Sequence, residues 1–413
     1  MADTPPASRC GIDTVELARM ERFLAATNPE DLGRLFSQQE LEDAGDGPGR
    51  LPSLAARFAA KEACCKLFPR ETALGRIGPA DFAVVRDQYG QPTITPSVEG
   101  RAVMDLHRVE CIRVSLTHTA STASAMTLAI PRQTDAPWFG RWLYHLLPYR
   151  RGVVLSNLRQ VFGQTLPESE ILLLAKAYYA HFARFLIEFI RLPFMSEKRR
   201  RAWTRVENIE APIRAWRKDR GLLLLTGHFG NWEVATVAAI HAFPQYRGLF
   251  HFVRRPLKPA WFEAFVNWRF RRAGFGSIPK RGSLDAILQL LQQGAIVVYV
   301  LDQHADRKLG VMVDFFGRPA GTFKSLALLA LSTGAPIIPA ATWREPDGSH
   351  VLRFEDPLPV VDCEDSAEAI RRTTRACNAA LEKMLLRHPE QWIWMHKRWK
   401  ARGGTPAPAK RPL

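Results

Sequence analysis

The 413-residue sequence has no C-x2-C pair, no internal repeat, and no uninterrupted apolar run near the roughly 20 residues that a membrane-crossing helix needs. Its six cysteines (Cys10, Cys64, Cys65, Cys111, Cys363 and Cys377) lie singly or side by side. This excludes zinc-ribbon and thioredoxin-like motifs and fits a reducing compartment. The longest apolar stretch, Leu326 to Thr342, is broken by Ser332, Thr333, Gly334, Pro336 and Pro339, so it reads as a buried strand–helix segment. The opening Met1-Ala2-Asp3-Thr4-Pro5-Pro6 lacks the basic and apolar regions of a secretion signal.

Acidic charge is scarce in one part only. Of 57 Lys/Arg and 41 Asp/Glu, residues 1–130 hold 14 and 17, a net of −3, which leaves +19 on the rest. Such a field attracts nucleic acid, acidic proteins or anionic lipid headgroups, or serves as a solubilising surface.

The seam between the two parts is Pro131-Arg132-Gln133-Thr134-Asp135-Ala136-Pro137, which reads as a linker over 131–137. The tail, residues 403–413, is Pro/Gly/Lys-rich and reads as disordered. Before the seam, a helix is expected over Ala55–Leu67 and strands over Phe82–Arg86, Ile112–Thr117 and Ala123–Ile130. After it, Glu168–Leu192 carries a long helical pattern. Leu222–Leu225, Ile296–Leu301 and Pro336–Ala341 are continuous apolar strands separated by helices, which predicts a largely parallel central sheet.

Four clusters stand out in the first part. Gly11-Ile12-Asp13-Thr14-Val15-Glu16 places an acid after a strand start, as a metal ligand or a turn aspartate. Ser37-Gln38-Gln39-Glu40 is a capping box. Arg57 to Lys66 puts Glu62 and Lys66 one helical turn apart, as a surface ion pair or as a hard-oxygen metal and phosphate site. Ser115-Leu116-Thr117-His118-Thr119 ends a strand on a histidine. In this order, together with the turn Gly90-Gln91-Pro92, they resemble the holo-acyl-carrier-protein synthase type of 4′-phosphopantetheinyl transferase over about 120 residues. The resemblance implies Mg2+ on Asp13 and Glu62, a coenzyme A site lined by Lys61, Lys66 and His118, an acyl carrier protein as partner, and trimers with sites shared between neighbours.

In the second part, Thr226-Gly227-His228-Phe229-Gly230-Asn231-Trp232-Glu233 follows an apolar strand, where open α/β sheets place their chemistry. His228 with Glu233 reads as a general base held by a carboxylate. Equally, Asn231 caps a helix and Glu233 complements its dipole. Asp302-Gln303 follows another apolar run, and Asp314 to Thr322 forms a Gly/Pro-shaped loop. Gln391 to Lys400 interleaves aromatics with bases, expected at a membrane interface. A nucleic-acid reading accounts for the charge and nothing else.

With the Leu147–Phe162 segment, these landmarks resemble the lipid A late acyltransferase family of the lysophospholipid acyltransferase superfamily, over about 260 residues (138–402). That resemblance implies that His228 deprotonates an acceptor hydroxyl while Glu233 holds the tautomer. Arg272, Asp302, Gln303, Arg318 and Thr322 would then contact substrate. Such proteins usually begin with a membrane-anchoring helix, and the first domain takes that place here. The aromatic segment Trp138–Leu147 is too short to span a bilayer, so peripheral contact on the cytoplasmic side of the inner membrane is expected. The expected architecture is an α+β phosphopantetheinyl-transferase domain (1–130) followed by an α/β glycerolipid-acyltransferase-like domain. Its function would be bifunctional. The alternative is a single acyltransferase whose first domain is a carrier-protein docking scaffold.

Overall fold

The computed structural model describes residues 9–147, 149–217, 219–279, 282–306 and 308–400. The expected disordered tail lies outside these residues. The chain divides into two compact units, one reaching Thr134 and including Thr165–Ser169, the other from Asp135 onward.

The first unit packs a helix, Arg50–Cys65, onto an antiparallel sheet of β1 (Arg9–Glu16), β5 (Thr122–Pro131) and β4 (Val109–His118), with β5 in the middle. A two-stranded ribbon, β2 (Phe82–Arg86) and β3 (Pro92–Pro96), forms a second sheet whose β3 packs beside β4. Alternation on β1 turns Gly11, Asp13 and Val15 toward the helix and Ile12 and Thr14 outward. Small residues let the layers approach: Ala55, Ala59, Ala60, Ala123 and Ala125 form the contact. Gly11 is the tightest point, since a Cβ there would lie 2.0 Å from the Ala63 carbonyl oxygen. The capping box at Ser37 is formed, with the side chain accepting from the Glu40 amide.

The second unit is built on a seven-stranded sheet in the order β6-β14-β13-β7-β10-β8-β9. β7 (Leu222–Thr226), β8 (Phe250–Arg254), β9 (Gly276–Pro279), β10 (Ile296–Val300) and β13 (Ile337–Arg344) run parallel. β14 (His350–Phe354) turns back antiparallel to β13, and β6 (Thr204–Glu207) pairs parallel with β14. Leu222, Leu223, Leu224 and Leu225 are all buried, as a central strand covered on both faces requires. Each contributes about 1.5–3 kcal/mol of transfer free energy. A separate hairpin of β11 (Gly310–Phe315) and β12 (Arg318–Phe323) carries the Gly/Pro-shaped loop. The long helix spans Glu168–Arg191.

The closing Gln391 to Lys400 segment departs from expectation. Trp392, Trp394 and Arg398 are 1%, 0% and 0% exposed, so these residues seal the core rather than face a membrane. The exposed aromatics lie elsewhere. On the helix Trp138–Leu146, Trp138, Trp142 and Leu146 form an outward stripe at four-residue spacing, opposite buried Gly140 and Tyr144.

Candidate functional sites

β7 and β10 are neighbouring parallel strands, so the residues just past their carboxyl ends meet. Asp302 Oδ1 lies 2.9 Å from His228 Nδ1, and Oδ2 accepts the His228 backbone amide at 2.6 Å. Trp392 Nε1 donates to the same Oδ2 at 2.8 Å. Burial alone would raise the Asp302 pKa, but the charge of His228 and these hydrogen bonds outweigh it and hold it at about 2. An ionised carboxylate only accepts, so Nδ1 carries the proton and Nε2 keeps its lone pair. The carboxylate that sets the histidine tautomer is therefore Asp302, not Glu233 as expected. The difference is one of reach: Asp302 approaches from the adjacent strand.

Glu233 instead faces Arg269. Its Oε2 is 3.9 Å from Arg269 Nη1, and Arg269 Nη2 donates to the Glu233 carbonyl at 3.1 Å. Burial raises the Glu233 pKa against the pull of Arg269, Arg254 and His228. Asn231 caps the helix Trp232–Ala242 by accepting from the Val234 amide.

The loop bearing His228 is pinned from beneath. Gly230 takes φ +53°, and a Cβ there would meet the Thr342 carbonyl at 2.5 Å. Asn231 donates to Glu188 at 2.8 Å, and Arg344 grips Glu188 through two bonds of 2.6 and 2.7 Å. Burial would raise the Glu188 carboxyl, but His350 and Arg344 pull it to about 2. His181 accepts from Arg344 Nη1 at 3.0 Å and donates to the Gly230 carbonyl at 3.2 Å; burial and Arg344 lower its pKa to about 3.

A cavity of about 310 Å³ opens beside His228. Trp232, Glu233 and Gln303 line it near the histidine, and Phe243, Tyr246, Phe250 and Phe275 lie toward the other ends of the helix and strands. Its walls are largely apolar. Gln303 Nε2 also lies 3.3 Å from His396 Nε2.

Three expected contact residues are not brought there. Thr322 is fully buried, bonded to Arg398 and Asn378 in a structural network. Arg318 is exposed at the β11–β12 turn. Arg272 stacks on Trp268 and lines a different cavity.

In the first unit, Lys66 Nζ reaches Asp13 Oδ1 at 2.6 Å and the Ile12 carbonyl at 2.9 Å. Glu62 lies one turn before Lys66 on the same helix face. Asp13 and His118 oppose Ala125 and Ala123 on β5, so both are turned to the helix side of the sheet. Lys61 does not join them. It is fully buried, paired with Glu40 at 2.9 Å beneath the Phe36 ring, and Glu40 also accepts from the Ser37 and Val84 amides. Lys61 is a core strut, not a ligand-facing cation. Among the described residues no group of three or more His, Cys, Asp or Glu could by itself hold a metal ion. Asp13 and Glu62 do supply the hard oxygens that Mg2+ prefers, and phosphate oxygens suit the remaining positions.

A histidine held by a buried carboxylate at the carboxyl ends of a parallel sheet, opening on an apolar cavity, is an arrangement suited to general-base chemistry in a transferase. The chain belongs to the bacterial lipid A biosynthesis acyltransferase family over residues 133–401 and to the 4′-phosphopantetheinyl transferase superfamily over residues 9–126. It is an acyltransferase fused to a phosphopantetheinyl transferase. Among its relatives, the phosphatidylinositol mannoside acyltransferase of Mycobacterium tuberculosis is 27% identical over 230 residues, 53% of this chain and 68% of that protein. The lipid A biosynthesis lauroyltransferase of Escherichia coli is 25% identical over 264 residues, 64% of this chain and 83% of that protein. The holo-acyl-carrier-protein synthase of Treponema denticola is 39% identical over 121 residues, 29% of this chain and 94% of that protein. Among solved structures, the Helicobacter pylori synthase in complex with coenzyme A is 27% identical with a TM-score of 0.25, covering 29% of this chain and 99% of that one.

The signals that sequence reasoning missed are Trp392, whose indole anchors Asp302, and the buried Glu188–Arg344 pair. The Q-W-x-W spacing was visible, but aromatic–basic alternation does not distinguish a sealed strap from an interface.

Proposed function

We propose that the first domain transfers 4′-phosphopantetheine from coenzyme A to a serine of an acyl carrier protein, and that the second moves the acyl group borne on that arm to a hydroxyl of a membrane lipid. In the acyl step His228 Nε2 takes the proton of the acceptor hydroxyl, and the oxygen forms a bond to the thioester carbon. The phosphopantetheine thiol leaves with that proton. Asp302 holds the imidazole and stabilises its protonated form. Glu233 lies beside Arg269 and accepts from it through its backbone carbonyl. The Asp302–His228 pair at the mouth of an apolar cavity is the observation that carries this reading.

The cavity also bears on chain length. It follows the 11-residue helix Trp232–Ala242, about 16 Å at 1.5 Å per residue. Apolar lining from Trp232 to Phe243 along that helix suits an extended acyl chain.

In the first domain, Asp13 and Glu62 would hold Mg2+, while Lys66 and His118 would meet the coenzyme A phosphates. The ion, when bound, neutralises charge developing on the transferred phosphate. The serine oxygen attacks the β-phosphate, its proton passes to solvent, and the bond from that phosphorus to the oxygen of 3′,5′-ADP breaks. Ile12 and Met126, 60% and 47% exposed on the outer sheet face, support contact with further copies, up to a trimer. The stripe Trp138, Trp142 and Leu146 supports peripheral membrane contact, which we place on the cytoplasmic side of the inner membrane. Among the described residues no helix is long and apolar enough to cross a membrane. A strongly basic acyltransferase domain suits an acidic carrier protein.

The test is intact mass of apo acyl carrier proteins incubated with the protein, coenzyme A and Mg2+. The expected result is one phosphopantetheine added, lost in Asp13→Ala and Glu62→Ala. No gain with any carrier would leave the first domain a docking scaffold and the chain a single acyltransferase.

A further inference from the structure

A second cavity, about 250 Å³, lies against the face of helix Trp232–Ala242 that bears Val237 and His241, whereas Glu233, Thr236 and Ile240 line the acyl cavity. Arg200, Arg247 and Arg272 converge on it, each from a different element: the helix Glu197–Trp203, the Tyr246–Leu249 turn and the helix Ala260–Ala273. Two further charges on its wall are already committed. Glu197 is paired with Arg201 at 2.8 Å, and Arg269 with Glu233. Among the described residues no carboxylate lies within 4.0 Å of Arg200, Arg247 or Arg272.

His241 does not neutralise them. Its Nδ1 accepts from Arg247 Nη2 at 3.0 Å, and burial together with Arg200 and Arg247 lowers its pKa, so it stays uncharged and keeps a second ring nitrogen to donate. Three guanidinium groups around one hollow repel one another unless an anion sits among them. Trp268, on the cavity wall, is 41% exposed, and Phe194, next in the chain to the wall residue Pro193, is 85% exposed.

We infer that this cavity is a phosphate-binding site, separate from the acyl-transfer centre, that takes the phosphate of an anionic lipid headgroup while Phe194 and Trp268 rest among the acyl chains. The phosphate chemistry stands on the arginine cluster alone; the lipid source rests on the membrane reading given above.

The test uses the full-length protein in two arms. In one, thermal stability is compared in inorganic phosphate and in chloride of equal ionic strength. In the other, sedimentation is measured with phosphatidylcholine vesicles, with and without phosphatidic acid. Phosphate should raise the Tm of the wild type, and phosphatidic acid should draw it onto vesicles. Arg200→Ala/Arg247→Ala/Arg272→Ala should lose the phosphate-specific shift, and its vesicle partitioning should fall about a hundredfold. The triple lysine variant should regain much of both effects. The control Arg214→Ala/Arg371→Ala/Arg372→Ala, with equal charge removed elsewhere, should change partitioning only a few fold. A phosphate shift without any dependence on phosphatidic acid would support the site and assign it to a soluble phosphate. A triple alanine variant matching the wild type in both arms would overturn the proposal. His228→Ala, run alongside, separates the readings, because it should lose acyl transfer and keep phosphate binding.

Discussion

At the scale of single residues, the acyl site depends on which carboxylate reaches His228 Nδ1. Asp302 does, at 2.9 Å, and Trp392 and the His228 amide hold it ionised. Asp302→Asn keeps the shape but lets the amide donate, favouring the wrong tautomer. Its kcat for acyl transfer is expected to fall by roughly 10²–10⁴ with KM little changed, read by steady-state kinetics on protein of wild-type Tm. His181 makes a different prediction. It must stay neutral to accept from Arg344, and its folded-state pKa is about 3, below the ordinary 6.5. Between those values the unfolded chain binds a proton that the folded one refuses, so stability falls as pH drops from about 6.5 toward 3, by at most about 1.4 kcal/mol per pH unit. In urea titrations across that range, His181→Asn should flatten the slope. An unchanged slope would assign the acid sensitivity to other groups.

At the scale of elements, helix Trp232–Ala242 brings its amino end to the histidine and its carboxyl end to the aromatic floor of the cavity. The turn after it carries Tyr246, which pairs with Phe243 at 6.4 Å. Tyr246→Ala opens that end and is expected to shift the preferred donor by about two to four carbons toward longer chains, at a stability cost of about 2–4 kcal/mol. Competition between acyl-carrier-protein donors of graded length checks it; an unchanged preference would place the limiting wall elsewhere. In the first unit the limiting contact is β1 on helix Arg50–Cys65. Gly11→Ala would drive a methyl into the Ala63 carbonyl, so it should disrupt the pairing of Asp13 with Lys66 and unfold that unit at lower denaturant, followed by its own transition.

At the scale of the whole molecule, one chain joins a phosphopantetheinyl transferase with an acyltransferase. The two sites share no residue. Asp13→Ala is therefore expected to abolish arming of apo carrier while leaving acyl transfer from a pre-charged carrier within about twofold of wild type, read by product mass in both assays. Loss of both together would show that the two domains are coupled.

The local patterns were legible. Glu168–Leu192, Leu222–Leu225 and Phe82–Arg86 appear within a residue of their expected bounds, because period and apolar runs are set by neighbours along the chain. The capping box at Ser37 and the Asn231 cap are equally local. What the sequence could not decide is partnership across long separations. Lys61 and Lys66 both lie in a motif rich in bases, yet the first is sealed against Glu40 and the second reaches Asp13. Thr322 and Trp392 both lie in motifs that invite a functional reading. Only packing shows the first closing a buried network and the second holding Asp302. Glu233 is five residues from His228 and Asp302 is 74 away. Sequence proximity favoured the nearer acid, and the parallel pairing of β7 with β10 supplied the farther one.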